Sequence, residues 1–242
     1  IPNVKITHAW TQSKKITKNL CKSCNIENEL TDYKQMLPEV NGVIIARDDL
    51  HLKIAKYFIK KKIPVFIDKP LTTNIKELNY FKKYIKKGLI MSTSGLRFAS
   101  ELLKAKSKIE KLGKIKCINA TVASTLKNHG IHMLEMIDAL DLLNIKKIFR
   151  IRSKVDNIKY FCKGDMEINL FCLGKTSNIY SLQFFGSKKN LTINISDNFS
   201  AFKNTLINFT KLVKEKKPII KPYKTINVLN TFIKTLNAKI YA

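Results

Sequence analysis

The residue best placed to do chemistry is Lys69, which stands between an acid and a proline at the end of an apolar run, residues 63–67. A short apolar run between lysine-rich helical segments predicts a buried strand of a parallel sheet. Ligands bind just outside the carboxyl ends of such strands. A lysine there can polarise a carbonyl or relay a proton, and Pro70 would fix the backbone that carries it. The alternative is a solvated lysine at the start of a loop.

A second candidate group opens a predicted helix at residues 128–132, where Asn128 and His132 lie four residues apart. Glu135 follows His132 by one turn on the same helical face. A neutral imidazole at this place could take the proton of a hydroxyl while a hydride leaves the carbon. The alternative, which spacing alone favours, is a structural histidine with a satisfied hydrogen bond.

The elements that must position these residues alternate between strand and helix through residue 98. This alternation predicts a doubly wound parallel sheet with right-handed crossovers. The predicted strands are 4–10, 42–46, 65–67 and 89–94, and the predicted helices are 13–24, 33–37, 50–61 and 75–87.

After a helix at 100–112 the pattern changes, and strand-like runs dominate. These runs predict an α+β domain with a mostly antiparallel sheet and helices on one face. We therefore expect a first domain at 1–98 and a second at 99–242. The predicted strands are 115–123, 148–155, 166–173, 178–185 and 190–196, and the predicted helices are 131–143, 199–216 and 225–236.

The order of these motifs resembles the glucose–fructose oxidoreductase / inositol dehydrogenase / MocA (Gfo/Idh/MocA) family of NAD(P)-dependent sugar oxidoreductases. That family has a strand ending in Glu-Lys-Pro, which the run 68–70 matches as Asp-Lys-Pro. His51 precedes the next helix and Arg97 follows the last strand of this half, as in the family. An Asp-x-x-x-His element is matched by Asn128 and His132. No single motif is specific, but the order and spacing hold over most of the chain.

The resemblance implies reversible hydride transfer between a nicotinamide and a secondary alcohol or ketone of a sugar, cyclitol or sugar nucleotide. Lys69 would stabilise charge on the reacting oxygen, His132 would serve as acid/base, and Asn128 would orient a hydroxyl. Arg97 and His129 would line the substrate pocket, and no metal is implied. The residues expected to hold the cofactor follow the strand ends: Trp10, Thr11, Ser13, Lys14, Ala46, Arg47, His51, Asp68, Lys69 and Pro70.

The chain departs from the family pattern at two places. Asn128 stands where family members often carry Asp, and an amide cannot accept a proton as a carboxylate does. A catalytically degenerate member that binds a ligand or partner is therefore the alternative function. The chain also has no Gly-x-Gly-x-x-Gly, starts at Ile1, and matches the family's second strand with residues 4–10. We expect an N-terminally truncated sequence, which by itself would bind a dinucleotide poorly.

The choice between NAD and NADP rests on residues 10–15. Many NAD-binding sheets place an acid after the second strand to hold the ribose hydroxyls, and this chain has none there. Ser13 and Lys14 could instead accept a 2′-phosphate, which favours NADP. The alternative is that both are ordinary helix-cap and surface residues.

The net charge of +27 raises the possibility of nucleic-acid binding, the second alternative function. Only four of the 45 basic residues are arginine, the residue favoured for phosphate and base contacts. The lysines are also spread along nearly every predicted helix, which indicates compositional drift rather than a specific nucleic-acid surface.

Composition sets the remaining limits. A chain of 242 residues with 45% hydrophobic residues can bury a sizeable core. No apolar stretch reaches the ~18 residues of a membrane span. Five cysteines, an odd number, favour a reducing cytoplasm over a disulfide framework. The expected partner is a sugar-like small molecule, and an exposed face of the antiparallel sheet would allow a homo-oligomer.

Overall fold

The computed structural model describes residues 1–241, and its first half alternates strand and helix. The elements, in chain order, are β1 (His8–Ala9), α1 (Lys14–Cys24), β2 (Asn28–Glu29), a 3₁₀ turn (Tyr33–Met36), β3 (Val43–Ile45), α2 (His51–Lys60), β4 (Val65–Ile67), α3 (Ile75–Lys86) and β5 (Ile90–Met91). Strands β3, β4 and β5 form a parallel sheet, and β1 and β2 form a separate parallel pair. The predicted parallel α/β architecture is confirmed.

The start of the chain differs from its predicted strand. Only His8 and Ala9 pair, whereas Val4 and Ile6 are exposed and make no ladder. Strand β2 was missed, because two polar residues, Asn28 and Glu29, give no apolar strand signal. A two-residue parallel pair is set by its partner strand and not by local propensity.

The second half places a large mixed sheet under helices. Its elements are α4 (Ser100–Ile109), a 3₁₀ turn (Glu110–Leu112), β6 (Ile115–Val122), a π turn (Leu126–Gly130), α5 (Ile131–Ala139), β7 (Ile145–Ile151), β8 (Asp156–Cys162), β9 (Glu167–Cys172), β10 (Tyr180–Gly186), β11 (Asn190–Asn194), α6 (Asn198–Glu215), α7 (Pro222–Leu236) and β12 (Ile240–Tyr241). The sheet order is β11-β10-β6-β9-β8-β7-β12.

This sheet is mostly antiparallel, with parallel pairs only at β6–β9 and β7–β12 among the described strands. Burial alternates along its strands, as at Ile158, Tyr160 and Cys162 in β8, so that one face is covered and the other is open. The predicted α+β half is confirmed. The predicted strand 148–155 is wrong in extent, because residues 152–155 turn the chain between β7 and β8, and β8 itself was not predicted.

The C-terminal helices pack back on the first half. Phe209 and Leu212 of α6 lie with Phe66 and Met91 of the parallel sheet in one apolar cluster. α6 also runs so close to the turn after β5 that a Cβ on Gly95 would meet Thr205 Oγ1 at 3.3 Å. The main hydrophobic core contains residues from both halves of the chain. The domain boundary after residue 98 therefore stays a prediction. Among residues 1–241, no helix combines the length and apolar character that crossing a membrane requires.

Candidate active site

Lys69 lies at the carboxyl edge of the parallel sheet, directly after β4. The backbone N–H of Asp68 still donates to Ile45 O at 3.0 Å, so the ladder ends one residue before the lysine. The Lys69–Pro70 peptide is cis. The Lys69 side chain is half-buried and lies close enough to two histidines, His129 and His132, to shift the pKa of both.

Those histidines come from the junction between the π turn and α5. Thr125 Oγ1 accepts from the Asn128 N–H at 3.4 Å, and Leu126 N donates to Asp156 Oδ2 at 2.8 Å, which fixes the entry to the turn. His132 is buried in the first turn of α5, whereas Asn128 is exposed in the π turn. π turns of this kind recur at functional sites.

Tyr180, the first residue of β10, completes an aromatic group with the two histidines. Its hydroxyl lies 3.2 Å from His129 Nδ1, and its ring centroid is 5.8 Å from that of His132. The two histidine rings are 5.1 Å apart and nearly perpendicular. Sequence reasoning missed Tyr180, because an aromatic residue in a strand is an ordinary core signal. Only the pairing of Tyr180 beside Val122 in β6 brings it to the site.

The turn after β5 provides a second contact to His132. Ser94 is fully buried and caps the 3₁₀ turn at Gly95–Phe98 by accepting from Leu96 N at 3.1 Å. Its Oγ also lies 2.6 Å from His132 Nδ1. Ser94 was not among the predicted site residues, since a serine after a strand carries no distinctive sequence signal.

Burial keeps both histidines neutral near pH 7. Desolvation, followed by the charges of Lys69 and His129, lowers the pKa of His132 to about 3. Burial, followed by the charge of Lys69, also lowers the pKa of His129. A ring whose pKa is lowered this far is a poor proton acceptor. The lowered pKa therefore argues against His132 as a strong base.

Acid is expected to destabilise the protein through these histidines. An unfolded histidine titrates near pH ~6.5, whereas His132 in the folded state titrates near 3. Between these values the unfolded chain binds more protons, so the free energy of unfolding falls as the pH falls. One such group is expected to lower the free energy of unfolding by about 2 kcal/mol between pH 6.5 and 5. Urea unfolding across this range measures it.

His132→Gln should reduce the dependence of the free energy of unfolding on pH. The matched control is His8→Gln, which removes a histidine outside the site. Staying above pH ~5 keeps most carboxylates of the unfolded chain ionised. Burial raises the pKa of Glu135 in the folded protein, but this carboxyl is common to the wild type and both variants. Equal slopes for wild type and His132→Gln would contradict the assignment.

Arg97 is buried next to the site and paired with two acids of α5, and its predicted place in the substrate pocket stays a prediction. The buried guanidinium donates to Glu135 Oε2 at 2.5 Å, to Asp138 Oδ2 at 2.6 Å and to Thr93 Oγ1 at 3.2 Å. Burial lowers the pKa of Arg97, and the two carboxylates more than offset it, so the net direction is up. Two acids on one face of α5 draw the guanidinium inward, and its Nε and Nη2 atoms are both engaged by these carboxylates.

Of the residues predicted to hold the cofactor, those that follow β1 and β3 come close together where the Arg47 side chain meets Trp10. Ser13 caps α1 through its contact with Ile16 N, and Lys14 beside it is exposed. The Arg47 guanidinium reaches from β3 to lie 5.7 Å from the centre of the Trp10 ring, and the Gln12 amide lies against it. Thr11 lies next to these residues and is hydrogen-bonded to Thr17. Ala46 is exposed at the end of β3.

His51 joins the loops that follow β3 and β4. Its ring nitrogens face Leu71 O, at 3.0 Å from Nδ1, and Arg47 O. A cavity of about 560 Å³ opens beside it, between the same two loops. Pro70 lines this cavity, but Lys69 and the histidines of the site do not, so it is separate from the place where they meet.

This donor set fits the two ends of a nicotinamide dinucleotide. The Ser13 hydroxyl, Lys14 and Arg47 offer donors at one end, and Lys69 with the two histidines lies at the other. A pyrophosphate is normally held by glycine-rich backbone at a helix N-terminus. Among residues 1–241 no glycine-rich turn follows a strand.

A parallel sheet with polar groups at its carboxyl edge, joined to a large mixed sheet, is the architecture of a Rossmann-type α/β fold with an α+β second half. Residues 1–93 match the family model GFO_IDH_MocA, described as an oxidoreductase family with an NAD-binding Rossmann fold. Residues 1–93 therefore match the NAD-binding Rossmann domain of that family, which confirms the predicted resemblance.

Solved structures extend the fold match to the rest of the chain. Myo-inositol 2-dehydrogenase from Lactobacillus plantarum is 15% identical, with a TM-score of 0.84 over 98% of this chain and 90% of that one. Scyllo-inositol dehydrogenase from Lactobacillus casei, solved with NAD(H) and scyllo-inositol, is 14% identical, with a TM-score of 0.82 over 98% and 90%. A probable dehydrogenase from Thermotoga maritima is 14% identical, with a TM-score of 0.85 over 97% and 90%. Among curated proteins, none matches.

Proposed function

We propose that this protein is an NAD(P)-dependent oxidoreductase that transfers a hydride between a nicotinamide and a secondary alcohol or ketone of a sugar, cyclitol or sugar nucleotide. One observation carries the proposal: Lys69, at the edge of the Rossmann sheet, lies with His129, His132 and Tyr180 from the second half of the chain. Cyclitol dehydrogenases of the same fold support this substrate class.

Each residue of the site has a separate role in the reaction of a secondary alcohol. The nicotinamide, when bound, accepts or returns the hydride. The Lys69 ammonium stabilises negative charge on the reacting oxygen and can exchange a proton with it. His132 contacts the same oxygen, while the exposed Asn128 side chain orients a neighbouring hydroxyl. His129 and Tyr180 form a wall whose ring faces suit the C–H surface of a sugar or cyclitol.

Within this function we propose that the cofactor is NADP. No carboxylate follows β1, so the acid that commonly holds the ribose hydroxyls of NAD is missing there. Lys14 adjoins Ser13 at the start of α1, and the Arg47 guanidinium lies over the Trp10 ring, where it also pairs with Asp49. Arginine is the side chain best suited to a 2′-phosphate.

Replacing Arg47 and Lys14 together with Ala is expected to weaken NADPH binding by about tenfold to a hundredfold, corresponding to one or two charge-assisted contacts. NADH binding should change much less, because it has no 2′-phosphate. Fluorescence titration of the full-length gene product with both nucleotides measures the ratio. Lys15→Ala is the matched control, since Lys15 is an exposed neighbour. Equal loss for both nucleotides would contradict the preference for NADP.

The function itself is tested by assaying the full-length gene product with NAD⁺ or NADP⁺ against inositols, aldoses and nucleotide sugars. Reduced nicotinamide that forms only with both substrates present would establish the activity. Dinucleotide binding without turnover on any of these classes would favour the catalytically degenerate alternative, which Asn128 permits. Salt-sensitive binding of one nucleic-acid sequence over others, without dinucleotide binding, would favour the nucleic-acid alternative.

The cellular setting is a further part of the proposal. The five cysteines are all free thiols, and three of them are buried. We propose a reducing cytoplasm on this basis. The open face of the seven-stranded sheet is the surface through which a homo-oligomer would form, and sedimentation of the purified protein tests it.

A further inference from the structure

The hydrogen bond between Ser94 and His132 determines which imidazole nitrogen carries the proton. Ser94 Oγ lies 2.6 Å from His132 Nδ1 and accepts a hydrogen bond from Leu96 N at 3.1 Å. A serine hydroxyl has one proton to donate and two lone pairs to accept with. The direction of the short contact therefore depends on where the Ser94 proton goes.

Only one arrangement satisfies both the Ser94 hydroxyl and His132 Nδ1. If Nδ1 carried a proton and donated it to Ser94, the hydroxyl would accept twice and its own proton would need another acceptor. Ser94 is fully buried, and among residues 1–241 His132 Nδ1 is the only acceptor in contact with its Oγ. A buried hydroxyl without an acceptor is unfavourable. Ser94 therefore donates to Nδ1, and the proton of the neutral ring sits on Nε2.

The Nε2 atom faces the site. Among the described residues it has no hydrogen-bond partner, and it is not fully enclosed either, since the only enclosed side-chain atom left unpartnered there is Asn198 Oδ1. The groups around the ring are Ser94 from the turn after β5, Lys69 after β4, His129 in the π turn and Tyr180 in β10. None of the four is an acid that could hold an imidazolium.

We propose that Ser94 is a positioning residue that holds His132 as the neutral Nε2–H tautomer, so that His132 donates a hydrogen bond to the reacting oxygen and does not accept its proton. This inference rests on the proposed function for its chemical consequence, although the tautomer itself does not. It revises the sequence-based expectation that His132 is the acid/base. Neutral imidazole serves as a hydrogen-bond donor of this kind in other enzymes.

The proton then passes through Lys69. In the reductive direction the carbonyl carbon gains a hydride from the reduced nicotinamide, the C=O π bond breaks, and its electron pair stays on oxygen. That oxygen takes a proton from the Lys69 ammonium while the Nε2–H of His132 remains a hydrogen-bond donor. The lysine is left neutral and regains a proton from solvent. In the oxidative direction the Lys69 ammonium would first give a proton to solvent, the resulting amine would remove the hydroxyl proton, and the hydride would pass from the carbon to the oxidised nicotinamide.

The first test reads the tautomer in the wild-type protein without cofactor. Nitrogen-15 NMR of labelled histidine distinguishes a protonated from an unprotonated ring nitrogen, and His132→Gln identifies the His132 signals by their loss. We expect a protonated Nε2 and a bare Nδ1 from pH 6 to 8. A protonated Nδ1, or an imidazolium, would overturn the proposal. Because no cofactor or substrate is used, this result is independent of whether the protein is a dehydrogenase.

A matched pair of variants then separates positioning from stability. Ser94→Asn keeps a donor for Nδ1, and Ser94→Asp replaces it with an acceptor, while both side chains can still cap the turn. We expect the Asn variant to keep the Nε2–H signal and most of its kcat. The Asp variant should move the proton to Nδ1, lose about a hundredfold in kcat, and gain a histidine ionisation in its pH–rate profile.

Equal kcat and the same tautomer in both variants would overturn the role of Ser94. If the variants unfold, which melting curves report, the wild-type NMR result still decides the tautomer. A wild-type Nε2–H signal in a protein without dehydrogenase activity would sustain the tautomer and refute the proposed function, so the two failures are distinguishable.

Discussion

Lys69→Met in the full-length gene product is expected to lower kcat by about two to four orders of magnitude, the usual contribution of a positioned proton donor. The ammonium at the edge of the Rossmann sheet is the positive charge placed beside the histidines, and methionine keeps the length of the side chain without that charge. Dinucleotide affinity should change little, because the groups at the ends of β1 and β3 remain. Steady-state kinetics and nucleotide titration measure the two effects.

The same variant has a readout that does not depend on turnover. Lys69 contributes, after burial, to lowering the pKa of both His129 and His132. Its removal should therefore raise both pKa values, and Lys69→Arg should keep them low. Lys127→Met is the control, since Lys127 is an exposed lysine in the adjacent π turn. Wild-type turnover in Lys69→Met would remove this lysine from the mechanism.

Arg97→Met is expected to cost about 3–5 kcal/mol of stability, the usual loss when one partner of a buried ion pair is removed. Glu135 and Asp138 are both buried and both face this guanidinium. Without it, two carboxylates would share an apolar site with only Thr93 and Lys224 Nζ nearby, the latter bonded to Asp138 O. The midpoint of urea unfolding should fall accordingly.

Two controls test the origin of that loss. Arg152→Met removes an exposed arginine and should change stability by less than about 0.5 kcal/mol. Adding Glu135→Gln and Asp138→Asn to Arg97→Met should recover part of the stability, because no unpaired buried charge remains. A loss below 1 kcal/mol in Arg97→Met would show that the ion pairs of Arg97 with Glu135 and Asp138 contribute little to the stability of the fold.

Arg97 also shows where sequence reasoning succeeds and where it stops. Its place after β5 was predicted, and the structure has it there. Its role could not be predicted, because the direction of a long side chain depends on what the opposite helix presents. α5 presents Glu135 and Asp138 one turn apart, and that pairing exists only after residues about forty positions apart in the chain pack together.

The helices and strands that carry the site show the same difference between what the sequence predicts and what only packing decides. Helices α1, α2 and α3 and strands β3 and β4 were predicted to within about two residues, because amphipathic periodicity and short apolar runs are local signals. β1 and β2 were misjudged or missed, since strands this short are defined by their neighbours in the sheet. β8 was also missed, although its buried residues Ile158, Tyr160 and Cys162 alternate as in a half-buried strand.

The sequence by itself determined the fold class, the position of Lys69 at a strand end, the entry of His132 into a helix, and the resemblance to a family of nicotinamide oxidoreductases. These features depend on residue type and on spacing along the chain. The tertiary structure alone decided that Tyr180 meets the histidines, that Arg97 turns inward, and that Ser94 lies against His132 Nδ1. The protonation of a buried imidazole is set by the atoms around it, and those atoms come together only when the two halves of the chain share one core.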